Sequence, residues 1–184
     1  SRKIFLWLNS GGGAFSAMSF TGNRAQEATL ADMDGDNDLD YVLVSLASDT
    51  VEWIENDGAA VLGGASGGDF GTTHVISSSR NNPDTVDAGD IDGDGHPDVA
   101  AGFRDDNAIY WWKSAAGGTS WTEVLVGAMD APECLRMADV DGDGDLDLLS
   151  ASDGDDGISW WDNVQGDGSV WAEHRISGLV QQHK

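Results

Sequence analysis

An all-β fold made of repeated four-stranded antiparallel units is what this 184-residue chain predicts, and three observations carry that reading. One acidic segment occurs three times without gaps, as Ala31-Asp-Met-Asp-Gly-Asp-Asn-Asp-Leu-Asp40, Gly89-Asp-Ile-Asp-Gly-Asp-Gly-His-Pro-Asp98 and Ala138-Asp-Val-Asp-Gly-Asp-Gly-Asp-Leu-Asp147. Their first aspartates, Asp32, Asp90 and Asp139, are 58 and 49 residues apart. A tryptophan-bearing apolar segment keeps the same rhythm: Trp7, Trp53, Trp111 and Trp160 are spaced 46, 58 and 49 residues. Two unrelated elements sharing one period mark a repeat architecture. Finally, apolar residues nowhere recur at helical spacing between cap signals, so almost no helix is expected.

Each repeat divides into four short strands separated by Asp, Gly and Asn. In the middle repeat they are expected at Thr85 to Gly89, Pro97 to Phe103, Ala108 to Lys113 and Trp121 to Val126. Strand alternation places Ile109 and Trp111 on one face and Tyr110 and Trp112 on the other. Both faces are apolar, as in a sheet sandwiched between two others. Glycine-rich hairpins join third to fourth strands at Asn9 to Gly13, Ala115 to Gly118 and Gln165 to Gly168. The longest connection, Asn56 to Gly71, accounts for the longer second period. Its Gly64-Ala-Ser-Gly-Gly68 fits the G-x-S-x-G elbow of serine hydrolases. That chemistry needs a strand before, a helix after, and His and Asp partners, so the segment is read as loop.

On this pattern the chain opens at a third strand, Lys3 to Leu8. Residues 1–20 form a half unit, 21–78, 79–127 and 128–177 form full units, and 178–184 start another or form a tail. Such an open array exposes an apolar face carrying Trp160 or Trp161, a drive to associate. The expectation is a piece of a larger protein, its remaining units supplied by the parent chain or by self-association. The absence of an initiating methionine fits removal of upstream sequence.

Thirty-three acidic against 9 basic side chains leave a net charge of −24. Nucleic acid and anionic membrane surfaces are disfavoured as partners. No apolar run approaches the ~20 residues of a membrane span, so membrane insertion is not expected. A hydrophobic content of 40% with eight tryptophans rules out a solvated disordered tail. The lone Cys134 excludes an intramolecular disulfide and is expected to be buried filler.

Much of the acid sits in the repeats. Aspartates occupy loop positions 1, 3, 5 and 9: Asp32, Asp34, Asp36, Asp40; Asp90, Asp92, Asp94, Asp98; and Asp139, Asp141, Asp143, Asp147. Position 6 is Asn37, Gly95 or Gly144, residue types that accept the left-handed backbone needed to curl the loop. Two carboxylates ~4 Å apart repel by about 4 kcal/mol at an effective dielectric of 20, so four converging ones call for a cation. All-oxygen ligation points to calcium, with magnesium second and zinc or copper disfavoured. By analogy with the EF-hand loop, position 7 (Asp38, His96, Asp145) is expected to give its backbone carbonyl, which makes the His96 side chain a bystander. The EF-hand itself fails, because its twelfth position needs Glu and holds Leu43, Ala101 or Ser150. A rival reading makes the Asp-Gly steps simple hairpin turns. Three copies with identical offsets favour three calcium ions, which bring −24 to roughly −18.

A strand, D-x-D-G-D-x-x-x-D and an apolar strand resemble the FG-GAP/VCBS repeat, the calcium-binding blade of integrin alpha-subunit propellers and of many extracellular microbial proteins. The resemblance implies about three and a half blades of a seven-bladed β-propeller. It implies side-chain ligation by the four aspartates of each loop and carbonyl ligation by Asp38, His96 and Asp145. The Gly-Ala-Pro tripeptide expected after the loop is absent; Val44-Ser-Leu46, Ala101-Gly-Phe103 and Ser150-Ala-Ser152 stand there. Together with the Trp-Trp strands, this places the chain nearer microbial and lectin-like members than integrins proper. The function implied is a calcium-stabilised extracellular or cell-surface adhesion module for a glycan or an extracellular protein ligand. The strand tryptophans are read first as inter-blade core and second as a sugar platform. Alternatives are a part of a secreted polysaccharide-degrading enzyme and a spacer in a large adhesin. No catalytic pair of carboxylates stands apart from the loops, and Asp105, Asp106, Asp153, Asp155 and Asp156 are read as solvated surface.

Overall fold

The computed structural model describes residues 4–9, 15–20, 25–56, 72–115 and 117–178, with side chains from residue 25 onward. The hairpin segments 10–14 and 57–71, with the G-x-S-x-G stretch, and residues 179–184 lie outside the described residues. Among the described residues every regular element is a strand. A two-stranded sheet, β1 (Ile4–Asn9) and β2 (Phe15–Phe20), comes first. The first four-stranded sheet is β3 (Ala25–Ala31), β4 (Asp40–Ser45), β5 (Thr50–Ile54) and β6 (Thr73–Ser77). The second is β7 (Pro83–Gly89), β8 (Asp98–Phe103), β9 (Ala108–Ser114) and β10 (Trp121–Ala128). The third is β11 (Pro132–Ala138), β12 (Asp147–Ser152), β13 (Gly157–Asn163) and β14 (Trp171–Gly178). Within each sheet the strands lie side by side in chain order, all antiparallel, as consecutive hairpins require.

The sheets are held to one another by the two apolar faces of the middle one. Val42, Val44 and Trp53 of the first sheet pack with Val99, Phe103 and Trp112 of the second, and Tyr110 lies against them. On the opposite face, Ile109 and Trp111 pack with Leu135, Leu148 and Trp161 of the third sheet. This is the alternation expected of a sandwiched strand. A buried tryptophan removes about 200 Å² from water, worth roughly 5 kcal/mol at 25 cal/mol per Å², so these indoles dominate the inter-sheet energy.

The first strands of the three sheets converge. They are bridged by side chains, where a continuous sheet would use a backbone ladder. The Val86 N–H donates to Glu27 Oε2 at 3.1 Å, and the Met137 N–H to Asp87 Oδ2 at 2.9 Å. The Leu135 N–H donates to Thr85 Oγ1 at 2.8 Å, wholly buried. Arg136 of β11 reaches Glu27 of β3 at 2.8 Å, tying the third sheet to the first. Each first strand also carries a bulge near its start, at Ala25/Glu27, Pro83/Thr85 and Pro132/Cys134, which adds local twist.

Cys134 departs from expectation, for it is exposed. Its neighbour Leu135 points at the second sheet and is fully buried, so alternation turns Cys134 to the other face. Trp160 and Trp161 divide the same way. Trp161 is buried against the second sheet, whereas Trp160 is half-buried on the far face beside the exposed Ile158.

Two substitutions test the inter-sheet contacts. Thr85→Val should cost about 1–3 kcal/mol in urea denaturation by leaving the Leu135 N–H buried and unpaired, while Thr85→Ser should recover most of it. At Gly102 an added Cβ would lie 2.8 Å from Thr85 Cγ2 and 2.9 Å from Pro132 Cβ, so Gly102→Ala should cost about 1–3 kcal/mol by overpacking.

Candidate metal centres

The three acidic segments connect the first strand of each sheet to the second, so they lie at the same end of their sheets. Each is a nest of turns in which aspartate carboxylates accept the loop's own backbone N–H groups. At position 1, Asp32 accepts from Gly35 and Asn37 at 2.8 and 3.0 Å, and Asp139 from Gly142 and Gly144 at 2.7 and 3.2 Å. Asp90 accepts from Asp94 and Gly95 at 3.0 and 2.9 Å. Position 3 accepts from position 5, in Asp34–Asp36, Asp92–Asp94 and Asp141–Asp143. Position 5 accepts from position 7, so Asp38, His96 and Asp145 donate N–H groups to Asp36, Asp94 and Asp143.

The curl depends on two left-handed residues per loop. Position 6 has φ of 74°, 89° and 103° at Asn37, Gly95 and Gly144. Position 4 shares that geometry, with 85°, 72° and 84° at Gly35, Gly93 and Gly142. A Cβ on any of these glycines would meet nothing within 4 Å, so backbone conformation and not space selects glycine.

Position 9 behaves differently. Asp40, Asp98 and Asp147 begin the second strands and are only 0%, 0% and 2% exposed. Each carboxylate accepts two backbone N–H groups. One comes from position 2: Met33 at 2.7 Å, Ile91 at 3.0 Å and Val140 at 3.0 Å. The other comes from the end of the third strand: Asn56 at 2.7 Å, Ser114 at 2.8 Å and Asn163 at 2.9 Å. The aspartate thereby clips the loop to the body of its sheet.

Carboxylate oxygens converge within 4.8 Å of one another in all three loops, from Asp32, Asp34 and Asp36, from Asp90, Asp92 and Asp94, and from Asp139, Asp141 and Asp147. Asp40, Asp98 and Asp143 stand outside these close groups. Several of the acids are displaced toward neutrality. Burial pushes Asp98 up to about 6, against the two N–H groups it accepts. Asp40 is raised for the same reason. Asp141 is raised by burial and by Asp143, Asp147 and Asp162. Asp38 is raised by desolvation and by Asp36, Asp34 and Asp32, and its Oδ1 is enclosed without a hydrogen-bond partner. In the first loop the position-7 side chain, Asp38, faces the other acids. All-oxygen donors crowded within 4.8 Å of one another fit a hard divalent cation.

A further residue, which the sequence pattern did not single out, joins the middle loop. The Lys113 ammonium pairs with Asp92 and lies 3.4 Å from Asp94. Burial would raise Asp94, but the His96 N–H and Lys113 outweigh it and hold the carboxyl low. Aligning the repeats two residues beyond each tryptophan, at Glu55, Lys113 and Asp162, would have exposed this position. Asn163 also crosses from the third sheet to the middle loop, its Nδ2 donating to the Ile91 carbonyl at 2.9 Å.

At the opposite end of the first strands, a cavity of about 340 Å³ is lined by Gln26, Glu27, Asp84 and Glu133. Arg104 binds Asp84, Glu133 and Asp153 at 3.1, 2.6 and 2.5 Å, so these acids staple neighbouring sheets. Asp155 pairs with Arg175 at 2.6 Å and Asp106 with Arg80 at 3.6 Å, ion pairs at the protein surface.

No curated protein matches the chain. The FG-GAP-like repeat matches it twice, over residues 32–101 and 90–150. The first span begins at Asp32 and the second at Asp90, so each opens on the first aspartate of an acidic loop. With repeated four-stranded sheets, an acidic loop between first and second strands, and matches spanning well over half of its length, this chain belongs to the FG-GAP-like repeat family.

Proposed function

We propose that the chain is a calcium-stabilised binding or adhesion module acting outside the cell, its sheets being blades of a seven-bladed propeller and its ligand a glycan or an extracellular protein. The observation that carries this reading is the threefold convergence of carboxylate oxygens on the acidic loops. Calcium accepts six to eight oxygens in flexible geometry, which suits a loop offering four aspartates and a position-7 carbonyl. The side-chain ligands are Asp32, Asp34, Asp36 and Asp40; Asp90, Asp92, Asp94 and Asp98; and Asp139, Asp141, Asp143 and Asp147. Asp38, His96 and Asp145 contribute carbonyls. Extracellular modules work with weak sites, on the order of 10⁻⁴–10⁻³ M, which supports that location.

The calcium is structural: it holds the loop whose last aspartate anchors the second and third strands. Partner blades adjoin the Trp160 face. Trp53 and Trp111, its equivalents, are buried against the following sheet, and Trp160 with Ile158 offers the same surface to a blade of the parent chain or of a second copy. The role is binding, without catalysis; among the acids outside the loops, Asp106, Asp84, Asp153 and Asp155 are engaged by Arg80, Arg104 and Arg175.

Chelation should lower the melting temperature by several degrees, and readdition of calcium should restore it; an identical melt after verified ion removal contradicts structural calcium. Asp141→Ala should abolish binding at the third loop and leave the first titratable. Proton linkage gives a further check. Asp98 has its pKa raised to about 6, so in the ion-free protein it holds a proton below that pH and must release it when calcium enters. Calcium affinity of the middle loop should therefore fall as pH drops from 7 to 5, with proton release measurable by calorimetry in buffers of different ionisation enthalpy.

A further inference from the structure

The third strands of the three sheets carry equivalent tryptophans, and the residue two positions on is acidic in the outer sheets and basic in the middle one: Glu55, Lys113 and Asp162. The environment changes with it. Trp53 stacks on His74 with ring centroids 4.1 Å apart, and Trp160 on His174 at 4.4 Å. Each of these histidines in turn contacts the acid, His74 to Glu55 at 3.3 Å and His174 to Asp162 at 3.4 Å. In the middle sheet the cross-strand partner of Trp111 is Val124, so the histidine is gone along with the acid. Lys113 turns instead to the loop, onto Asp92 and Asp94, two of the three acids that converge there.

The charge around the loops differs accordingly. The first loop with Glu55, and the third with Asp162, each present six carboxylates; the middle loop presents four, with His96 at position 7 and a lysine in place of the sixth acid.

We infer that Lys113 is a tethered counter-ion for the middle loop, holding it closed without metal and yielding its place when a divalent cation enters. This rests on the calcium reading above. The mutual repulsion that opens an ion-free loop is partly offset here by the ammonium group, which sits on two of its carboxylates. The same group repels an incoming dication and must move, and fewer carboxylates remain to hold the ion. The Lys113 side chain is 46% exposed, so its head can swing into water without unpacking the sheet. The middle site is therefore preformed but weak, and the outer two are tight but depend on calcium for their shape.

Calcium titration of the isotopically labelled chain, followed at the glycine amides, resolves the loops: Gly35 for the first, Gly93 and Gly95 for the middle, Gly142 and Gly144 for the third. The middle loop should saturate at a calcium concentration about tenfold or more above the outer two. Lys113→Gln should bring that midpoint down by about tenfold and leave the outer loops within about twofold. In chelator the same variant should speed amide hydrogen exchange at Gly93 and Gly95, the opposite sign of effect. An unshifted middle-loop midpoint in Lys113→Gln, or unchanged exchange in chelator, overturns the inference while the calcium reading stands. Absence of calcium response at all five glycines overturns both.

Discussion

A buried carboxylate at the end of each acidic loop is the constraint on which the rest depends. Asp40, Asp98 and Asp147 are shut from solvent, yet each sits where the second strand begins and accepts N–H groups from the loop and from the end of the third strand. At Asp98 and Asp40 the two hydrogen bonds satisfy the geometry but do not repay the loss of water around a charge, and burial raises both carboxyls, Asp98 to about 6. A cation in the loop would convert this liability into an anchor, because it would favour the ionised form of every acid it touched. On the proposed function, ion binding and strand order would then be one event, since N–H groups that the carboxylate holds belong to the sheet.

The sheets pass that order along. The Asn163 amide grips the Ile91 carbonyl of the middle loop, and its Oδ1 accepts the Gly168 N–H. The Gly168 carbonyl accepts the Trp111 indole N–H at 3.1 Å. A single hairpin of the third sheet thus touches both the middle loop and a core tryptophan of the second sheet. Each repeat leans on the next, which is how quasi-one-dimensional repeat proteins gain stability from nearest-neighbour interfaces. Chelation should consequently be felt beyond the loops themselves.

Much of this was legible in the sequence because two periods overlap. The two-residue alternation of Ile109 to Trp112 assigned both faces of the middle sheet, and the repeat spacing aligned the acidic loops. The left-handed position 6 follows from residue type; position 4 has the same φ, but an Asp-Gly step is equally compatible with a simple hairpin turn, so its conformation has no distinct signature in the sequence. Other features needed three dimensions. Thr85, Asp87 and Glu27 look like solvated strand residues, and only the convergence of first strands makes them acceptors for neighbouring N–H groups. The partnership of Arg136 with Glu27 spans 109 residues and has no local signature. Cys134 is exposed against the general preference of cysteine for burial, because the buried Leu135 beside it assigns it the opposite face.

The central claim is that the clustered aspartates are arranged for a hard divalent cation, with the Asp-Gly turns serving that arrangement. A crystal structure grown in millimolar calcium tests it most directly. Anomalous density in the first and third loops is predicted, with Asp32, Asp34 and Asp36, and Asp139, Asp141 and Asp147, contributing oxygens about 2.3–2.6 Å from the ion. Ordered loops that hold only water under those conditions, with the same aspartates bonded solely to their own backbone, would contradict it.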